Sequence, residues 1–476
     1  FYRVLAGVDV AGANLSMEWK AVVGSRYENS PLLYKENGFK EMASAVKLIE
    51  ETLEMEPGSA VLDEERRIMG QAKGSIEKIE KKKEKKKPPL LYNLAELQND
   101  CSKFFKISPD ETLAVVQELY EKKLVTYPRT DARVLSTAVA KEIPKNIRGL
   151  LGIPGVRDYA QTILDQEMYK GLAKTRYVND KQITDHYAII PTGQGLSALR
   201  SLNPTAQKVY EIIVRRFLSI FYPPAIYRKV SLTLNLKGEQ FFASFKVLEE
   251  EGYLKAARAS FFNAKKKQAE NEEEDKQENG EQENEDFDIG FLKALHDLKK
   301  GDHLPAGTLE VKEGETSPPK RYNSGSMILT MENAGQFIED EELRSQIKGS
   351  GIGTSATRAE ILKKLVANKY LALNKKTQII TPTLLGEMIY DVVNASIRPL
   401  LNPDLTASWE KGLTYVAEGS ITTEEYMVKL ENFIKRRTDV VLNLRNQYAL
   451  RGSFDHAAAY YKKGKTKGKE KDNEKV

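Results

Sequence analysis

The sequence predicts a multi-domain protein of the α/β class, with strand-rich and helix-rich parts that form separate cores. Its 476 residues exceed what one typical core contains, so two to four compact units are expected. Alternation of apolar and polar residues in 1–23 and 227–247 indicates strands, and helical spacing dominates much of the chain between them. Hydrophobic residues make up 41% of the chain, which is enough to build real cores.

Composition also limits the class of protein. The 73 Lys and Arg residues nearly balance the 68 Asp and Glu residues, so the net charge of +5 hides local basic and acidic blocks. No stretch approaches the roughly 20 apolar residues that span a bilayer, and no signal peptide opens the chain. The single cysteine, Cys101, excludes an internal disulfide and a zinc site built on several thiolates. We therefore expect a cytoplasmic protein with no membrane partner.

The first strand-rich part covers 1–86. Two strands are predicted in 1–23, a helix in 39–53 and a further strand in 75–79. That strand runs into the lysine run Lys81–Lys87 and then Pro88-Pro89, which marks a boundary. The lysine run is either a solvated linker or the edge of a strand that faces DNA.

A helical part follows in 87–222. Asn93 caps a first helix, and Ser108-Pro109-Asp110-Glu111 is a capping box with proline at the first helical position. The apolar residues of this second helix predict a buried face that includes Tyr120. Three more helices are predicted, at 137–143, 158–168 and 204–221.

The second strand-rich part covers 223–318 and contains a hairpin that turns at Lys237-Gly238. Its segment 264–286 is almost entirely polar and cannot bury enough apolar surface to fold, so it is predicted to be a disordered insertion.

The last part, 319–451, returns to helices. A helix at 357–368, a hairpin at 370–380 and a helix at 383–393 follow in the order of a winged-helix unit. Residues 452–476 are rich in lysine and are predicted to form a disordered tail.

One loop carries residues suited to cutting a phosphodiester. Tyr127 precedes Pro128, which biases it towards an extended backbone, and Arg129 follows two residues later. A guanidinium binds phosphate oxygens bidentately and favours a phenolate over a phenol. Attack by the phenol oxygen would give a phosphotyrosine ester, which keeps the energy of the broken bond for resealing.

At this point the sequence resembles a known family, the type IA DNA topoisomerases. Residues 124–136 (LVTYPRTDARVLS) look like the active-site segment of that family, in the form typical of the topoisomerase III branch. Blocks with the same resemblance follow the family's order at 88–98 (PPLLYNLAELQ), 179–193 (NDKQITDHYAIIPTG) and 351–371 (GIGTSATRAEILKKLVANKYL). The resemblance covers nearly the whole chain outside 264–286 and the tail.

The resemblance implies a role for each matching residue. Tyr127 is the expected nucleophile that joins the 5′ phosphate of the cut strand, and Arg129 is expected to position that phosphate. His186 matches the histidine that helps to bind the strand and shape the site, and Lys181 is a candidate phosphate contact.

Residues 351–358 offer a second DNA contact. Small, flexible residues run straight into a helix, where backbone N–H groups can bind a phosphate. Thr354, Thr357 and Arg358 are the expected contacts with the DNA backbone, in a groove for a single strand.

The resemblance also implies a cofactor for which this chain offers no ligands. Type IA enzymes hold Mg²⁺ in an acidic cluster of an N-terminal TOPRIM domain, and no such cluster is found near the start of this chain. No metal ligand is therefore assigned. The chain is expected to be the downstream part of such an enzyme and inactive on its own.

The family fold implies a toroid. It would have a β-rich arch (1–86 and 223–318), a helical cap (87–222) that carries Tyr127, and a DNA-binding base (319–451). The expected activity is ATP-independent cleavage, strand passage and religation, which relaxes negative supercoils and decatenates DNA. The implied partners are single-stranded and duplex DNA and a RecQ-type helicase, for a monomer associated with the nucleoid.

Two rival functions stay open. The chain could be a non-catalytic single-stranded DNA-binding remnant or paralogue. It could also belong to another class of tyrosine enzyme, a recombinase or relaxase, which would need an Arg-His-Arg pattern or a histidine cluster for metal. Four scattered histidines offer little support for the latter.

Overall fold

The computed structural model describes residues 1–10, 12–183, 185–261, 282–283, 294–295, 297–347 and 351–466. Most of the predicted insertion at 264–286, and residues 467–476 of the predicted tail, lie outside these ranges. The chain divides into two compact units, of which the first comprises Phe1–Pro88, Tyr222–Arg258 and Phe262–Pro319 and the second Pro89–Phe221, Ala259–Phe261 and Lys320–Val476. Across the described residues, no helix is both long and apolar enough to cross a membrane.

The first unit is built on one sheet whose strands come from separate parts of the chain. Its strands are β1 (Tyr2–Val10), β2 (Ala13–Trp19), β3 (Leu33–Lys35), β4 (Gly38–Phe39), β5 (Arg67–Lys86), β6 (Ala225–Leu236), β7 (Glu239–Glu250) and β8 (His303–Glu313). The order β1-β2-β7-β6-β5-β8 returns to β1, so these strands close into a barrel. Strands β4 and β3 extend it beside β1, and Gln282–Glu283 runs parallel to β7.

The barrel core follows the alternation seen in the sequence. Val4, Ala6 and Val8 are fully buried in β1, as expected for a strand with one face to the core. Trp19 stacks on Phe39 with ring centroids 4.9 Å apart. Helix α1 (Met42–Leu53) buries Leu48 and Ile49 in the same core. The strands predicted in 1–23 and the hairpin predicted at 227–247 are confirmed.

The lysine run Lys81–Lys87 continues the sheet for most of its length, so the linker interpretation is wrong. Strand β5 extends to Lys86 and pairs with β6 throughout the run. The lysine side chains are exposed, and carboxylates offset their like charges, as in the pair of Lys83 Nζ and Glu249 Oε2 at 3.6 Å. Backbone pairing therefore continues where composition suggests a linker. The alternative, a strand that faces DNA, stays a prediction.

The second unit is mainly helical. Its helices are α2 (Leu94–Phe105), α3 (Pro109–Glu121), α4 (Thr137–Gly149), α5 (Arg157–Asp165), α6 (Pro204–Ser219), α7 (Ser324–Glu332), α8 (Glu341–Gln346), α9 (Arg358–Ala367), α10 (Leu384–Ser396), α11 (Pro403–Ala417), α12 (Thr423–Leu442) and α13 (Gln447–Thr466). The predicted caps are confirmed: Asn93 accepts the Glu96 N–H at 2.9 Å, and Ser108 and Glu111 form a capping box.

The predicted helix, hairpin and helix follow in the expected order after residue 350. The hairpin consists of β9 (Leu371–Leu373) and β10 (Ile380–Pro382), which pair antiparallel between α9 and α10. This is the element order of a winged-helix unit. The division of the chain into arch, cap and base stays a prediction.

The predicted disordered tail is wrong up to residue 466, where α13 ends. Residues Phe454, Ala457 and Tyr461 are partly buried at helical spacing, a pattern that the surrounding polar residues obscure. The Tyr461 hydroxyl donates to Glu387 Oε1 at 2.8 Å on α10. Burial and this carboxylate raise the pKa of Tyr461 to about 12. The helix is therefore fixed by contacts that come from distant sequence.

Candidate active site

The loop that carries Tyr127 is aligned by hydrogen bonds with the segment that follows His186. Val125 pairs with Pro191 in an isolated β-bridge. The Thr126 N–H donates to the Ile190 carbonyl at 3.0 Å, and the Thr126 hydroxyl donates to the Ala188 carbonyl at 3.0 Å. The two motifs are about 60 residues apart in sequence, with |i−j| of 62 for the second bond. They are joined in a fixed register.

Both ends of the loop have a local cause for their shape. At the start, Lys123 has a left-handed backbone with φ 60°, which ends α3 and turns the chain towards Leu124. At the other end, the Thr130 hydroxyl donates to the His186 carbonyl at 2.9 Å and accepts the Ala132 N–H at 3.0 Å. The loop is thus attached to the His186 segment on both sides of Tyr127.

Three rings meet at the predicted nucleophile. The centroids of Tyr127 and His186 are 4.3 Å apart with planes tilted by 42°. Tyr120 meets Tyr127 edge to face, with centroids 5.4 Å apart. Tyr127 is half-buried and His186 is exposed. The predicted burial of Tyr120 is wrong: the side chain is 39% exposed because it points from the end of α3 towards Tyr127.

These rings line a cavity of about 510 Å³. Its lining is formed by Tyr120, Glu121, Lys123, Val125, Thr126, Tyr127, His186, Tyr187, Thr192 and Gln194. The volume falls in the range of roughly 300–1,000 Å³ that is usual for ligand sites. Burial raises the pKa of Tyr187, so this side chain stays a neutral phenol in the usual pH range. The cavity therefore combines aromatic walls with a polar rim that carries Glu121, Lys123 and Gln194, and it offers stacking surfaces and hydrogen-bonding groups to a nucleotide.

Arg129 and Lys181, the predicted phosphate contacts, lie in different settings. Arg129 is half-buried, and within the described residues no hydrogen bond or ion pair engages its guanidinium. It is therefore available to a phosphate. Lys181 is exposed on the turn Asp180–Gln182, where its backbone N–H donates to Asn179 Oδ1 at 3.1 Å. Its side chain is not part of the cavity wall.

The glycine-rich segment packs against the end of α7. Gly351 has φ 65°, and a Cβ there would lie 2.3 Å from the carbonyl oxygens of Met331 and Glu332. The Thr354 N–H donates to the Thr357 hydroxyl at 2.8 Å, and the Thr357 N–H donates to the Thr354 carbonyl at 3.0 Å. The turn itself uses these two amides, and the predicted phosphate contact by Thr354, Thr357 and nearby backbone N–H groups stays a prediction. The two threonines are exposed, so their hydroxyls remain candidate contacts.

Arg358 lies in the interior and is only 1% exposed. Its Nη1 donates to Asp131 Oδ1 at 2.8 Å. Its Nε and Nη2 donate to the carbonyls of Ile352 and Gly353 at 3.2 and 3.1 Å. The predicted direct contact with the DNA backbone is corrected on this ground. Arg358 instead links the Tyr127 loop to the glycine-rich segment.

Two residues of this network were not predicted from the sequence. Asn93 Nδ2 donates to the Asp131 carbonyl at 3.1 Å and to Glu332 Oε1 at 2.7 Å. Glu332 Oε1 also lies 3.9 Å from Arg358 Nη1. Burial raises the pKa of Glu332. The helix-cap pattern predicts only that the side-chain oxygen of Asn93 accepts a backbone N–H. No local pattern in the sequence predicts a role for Glu332.

The described residues contain no group of three or more His, Cys, Asp and Glu side chains that could hold a metal ion. The Mg²⁺ that the family resemblance implies therefore has no ligand set in this part of the chain. Its chemistry cannot be assigned to any residue described above.

Comparisons with known proteins agree on one family. A family model described as DNA topoisomerase matches residues 48–428. The DNA topoisomerase 3 of Bacillus subtilis (strain 168) is 34% identical over 373 residues, which are 77% of this chain and 47% of that protein. The DNA topoisomerase 3 of Bacillus licheniformis is 34% identical over 363 residues, or 75% of this chain and 45% of that protein. The chain thus spans about half the length of the curated relatives it matches.

A solved structure has a similar fold. Full-length topoisomerase I from Thermotoga maritima matches with a TM-score of 0.58 at 20% identity, over 93% of this chain and 58% of that one. At this identity the likeness concerns the fold alone. The predicted α/β class and type IA fold are confirmed.

Proposed function

This chain belongs to the family of type IA DNA topoisomerases, and we propose that it supplies the nucleophile with which such an enzyme cuts and reseals one DNA strand. The observation that carries the proposal is the contact of Tyr127 with His186 in a cavity wall, at 4.3 Å between ring centroids. The guanidinium of Arg129, two residues after Tyr127, is available to a phosphate group.

The proposed cleavage is a transesterification. The phenol oxygen of Tyr127 attacks the phosphorus, the bond to the 3′ oxygen breaks, and a 5′-phosphotyrosine forms. The phenol loses its proton and the leaving 3′ oxygen gains one, so the step needs neither water nor ATP. Attack of the 3′ hydroxyl on the phosphotyrosine reverses the step and reseals the strand. One phosphate ester is exchanged for another without hydrolysis, so resealing needs no ATP and an ATP-independent enzyme fits this site.

Arg129 and His186 would act on the phosphate and on the strand. Arg129 would bind the non-bridging oxygens and stabilise the charge that develops in the transition state. Loss of one such donor typically lowers the rate by about 10²–10³-fold. His186 is exposed beside Tyr127, so its imidazole can contact the bound strand and limit the rotation of the phenol ring.

The activity of the whole enzyme is part of the same proposal. We expect strand passage, relaxation of negative supercoils and decatenation from a topoisomerase 3 that includes an acidic TOPRIM portion with Mg²⁺. Single-stranded and duplex DNA are the proposed substrates, and a RecQ-type helicase is a proposed partner. No step above is assigned to the metal, because the described residues offer no ligand set for it.

A non-catalytic DNA-binding protein is the second candidate function. The described residues contain no group of three or more metal-ligating side chains, so cleavage would need metal ligands from outside them. An in-frame TOPRIM motif upstream in the same gene would support the topoisomerase function. On either function, the chain alone should bind single-stranded DNA with an affinity that falls as salt rises, because phosphate contacts release counterions.

The deciding experiment is a cleavage assay with end-labelled single-stranded DNA and Mg²⁺. The chain is tested alone and with the TOPRIM-containing portion of a topoisomerase 3 relative supplied in trans. We expect a covalent adduct only in the mixture, and its loss in Tyr127→Phe. Tyr120→Phe is the matched control, because it removes a hydroxyl from the neighbouring ring of the same cavity. An adduct that persists in Tyr127→Phe would show that the nucleophile is another residue.

A further inference from the structure

The predicted cap and base meet where α2 packs on α7, within the second unit. The backbones approach closely at Gly325, where a Cβ would lie 2.6 Å from Asn99 Cα. The hydroxyls of Ser102 and Ser324 are 3.1 Å apart in the same contact, and both residues are buried. This contact brings the segment that carries Tyr127 against the segment that carries the glycine-rich turn.

The two sides contribute unequal numbers of apolar residues to this contact. In the described residues, its buried cluster consists of Ala95 from the cap side and of Ile328, Leu362 and Ile380 from the base side. The partly buried residues packed against the cluster also come from the base side; they are Met327, Leu329, Met331, Leu371 and Leu373. A single alanine methyl is a small apolar contribution from the cap. Polar contacts therefore add to this cluster in holding the two sides together.

An ion pair of Arg358 and Asp131 also crosses the contact. Arg358 Nη1 and Asp131 Oδ1 are 2.8 Å apart, with the arginine side chain 1% exposed and the aspartate side chain 33% exposed. Asn93 bridges the two sides again, since its Nδ2 donates to Glu332 Oε1 at 2.7 Å and to the Asp131 carbonyl at 3.1 Å. Asp131 and Asn93 belong to the cap side, and Arg358 and Glu332 to the base side. The Arg358–Asp131 and Asn93–Glu332 bonds therefore cross the contact, whereas the bond from Asn93 to the Asp131 carbonyl lies within the cap side.

Such a pair suits a contact that must open. Removal of Asp131 leaves the buried charge of Arg358 without its nearest carboxylate, which is strongly unfavourable. Separation of the two faces, in contrast, returns both charges to water, and the recovered hydration offsets most of the lost attraction. A contact held by apolar area alone would expose that area on opening and gain no such compensation.

We propose that a latch of four residues holds the Tyr127 segment against the glycine-rich segment and releases as a unit when the two faces separate. The latch consists of Asp131, Asn93, Arg358 and Glu332. The proposal rests on the proposed function in one respect: the separation would be the gate through which a strand passes. These are positioning residues. Asp131 lies four residues after Tyr127, so the latch also fixes the far end of the loop that carries the nucleophile.

Reactivity of a buried cysteine measures the opening directly. Ser324→Cys in a Cys101→Ala background places one thiol inside the contact, where Ser324 is fully buried. Its reaction with a disulfide reagent (Ellman's reagent) reports how often α2 and α7 separate. Ala160→Cys in the same background places a thiol in the buried face of α5, away from the latch residues, and reports general unfolding.

Substitutions in the latch should raise the labelling rate of the cysteine at 324 and leave that of the cysteine at 160 unchanged. We expect Arg358→Met to raise the labelling rate of the cysteine at 324 by at least about ten-fold, because it leaves two carboxylates without their cation. Asp131→Asn, which keeps size and removes charge, should act in the same direction. The control Lys363→Met removes an exposed pair of the same contact, Lys363 Nζ to Asp110 Oδ2 at 3.7 Å, and should change the rate by less than about two-fold.

Two results would overturn the latch. One is a labelling rate at 324 that stays within about two-fold of the parent rate in both Arg358→Met and Asp131→Asn. Such a result would mean that breaking the ion pair does not make the contact open more often. The other is equal acceleration at 324 and 160, which would mean loss of stability rather than opening. The assay contains no DNA, so it succeeds or fails independently of covalent capture by Tyr127.

Discussion

The imidazole of His186 and the phenol of Tyr127 lie in ring contact, with centroids 4.3 Å apart and planes at 42°. The Thr130 hydroxyl, three residues after Tyr127, donates to the His186 carbonyl at 2.9 Å, so backbone and side chain both join the two motifs. Contacts of this kind fix where the nucleophile points before any substrate arrives.

His186→Ala should lower covalent capture of DNA by roughly ten-fold to a hundred-fold, because the phenol ring loses a neighbour that orients it. Affinity for single-stranded DNA should change much less. His303→Ala is the matched control, since His303 is exposed on β8 in the first unit and should have no effect on capture. A drop in affinity as large as the drop in capture would mean that His186 only binds the strand.

Arg129→Ala should lower the rate of capture by about 10²–10³-fold, because the developing charge on the phosphate loses a donor. Arg129→Lys should restore only part of the rate, since an ammonium cannot bind two phosphate oxygens in one plane. Single-turnover cleavage measures both. Arg200→Ala, at an exposed arginine of the 3₁₀ helix Leu196–Ser201, should leave the rate unchanged. A lysine variant that cleaves as fast as the parent would rule out a need for bidentate binding.

Glu332 should make stability depend on pH. Burial raises its pKa above the usual 4.5, while Arg358 lowers it and the nearby Asp131 and Glu96 raise it. A raised folded pKa adds stability below the unfolded pKa, and this contribution is lost as pH rises through the folded pKa. The unfolding free energy from this group should therefore fall as pH rises above about 4.5.

Glu332→Gln should remove that dependence, because glutamine keeps a neutral side chain at every pH. Urea unfolding at about pH 5 and about pH 8 gives the free energy of unfolding of the parent and of the variant, and the difference between the two is compared at each pH. The variant should gain stability relative to the parent at the higher pH. A difference that is the same at both pH values would mean that Glu332 does not titrate in this range.

A disulfide across the α2 and α7 contact should separate cleavage from strand passage. Ser102→Cys with Ser324→Cys replaces two hydroxyls that are 3.1 Å apart, which suits a disulfide bond. In the oxidised protein with TOPRIM supplied in trans, we expect covalent capture to persist and any relaxation activity to be lost, with recovery on reduction. Relaxation by the oxidised protein would show that this contact need not open.

Much of the local structure could be predicted from the sequence. The caps at Asn93 and Ser108 have short-range signatures, because a side-chain oxygen satisfies an amide two or three residues away. The hairpin turn at Lys237-Gly238 is equally local: both residues adopt positive φ, at 55° and 89°. The prediction of Tyr127 depended on a resemblance over four ordered segments, since Tyr-Pro-Arg alone is an ordinary loop.

The remaining features depend on contacts between distant residues. Closure of the barrel needs β2 to pair with β7 across more than 200 residues, as in Glu18 opposite Phe242. The burial of Arg358 depends on Asp131, with |i−j| of 227, and no local pattern predicts that an arginine at a helix start lies in the interior. Tyr120 has the spacing of a core residue and lies in the cavity wall instead, because the chain reverses at Lys123.

The most direct test of the central claim is to identify the residue that carries DNA after cleavage. The adduct formed with single-stranded DNA and TOPRIM in trans is digested with protease and nuclease, and the modified peptide is sequenced by mass spectrometry. We predict one nucleotide, attached through its 5′ phosphate to Tyr127. A nucleotide on Tyr120, Tyr187 or any other residue, or attachment through a 3′ phosphate, would contradict the assignment.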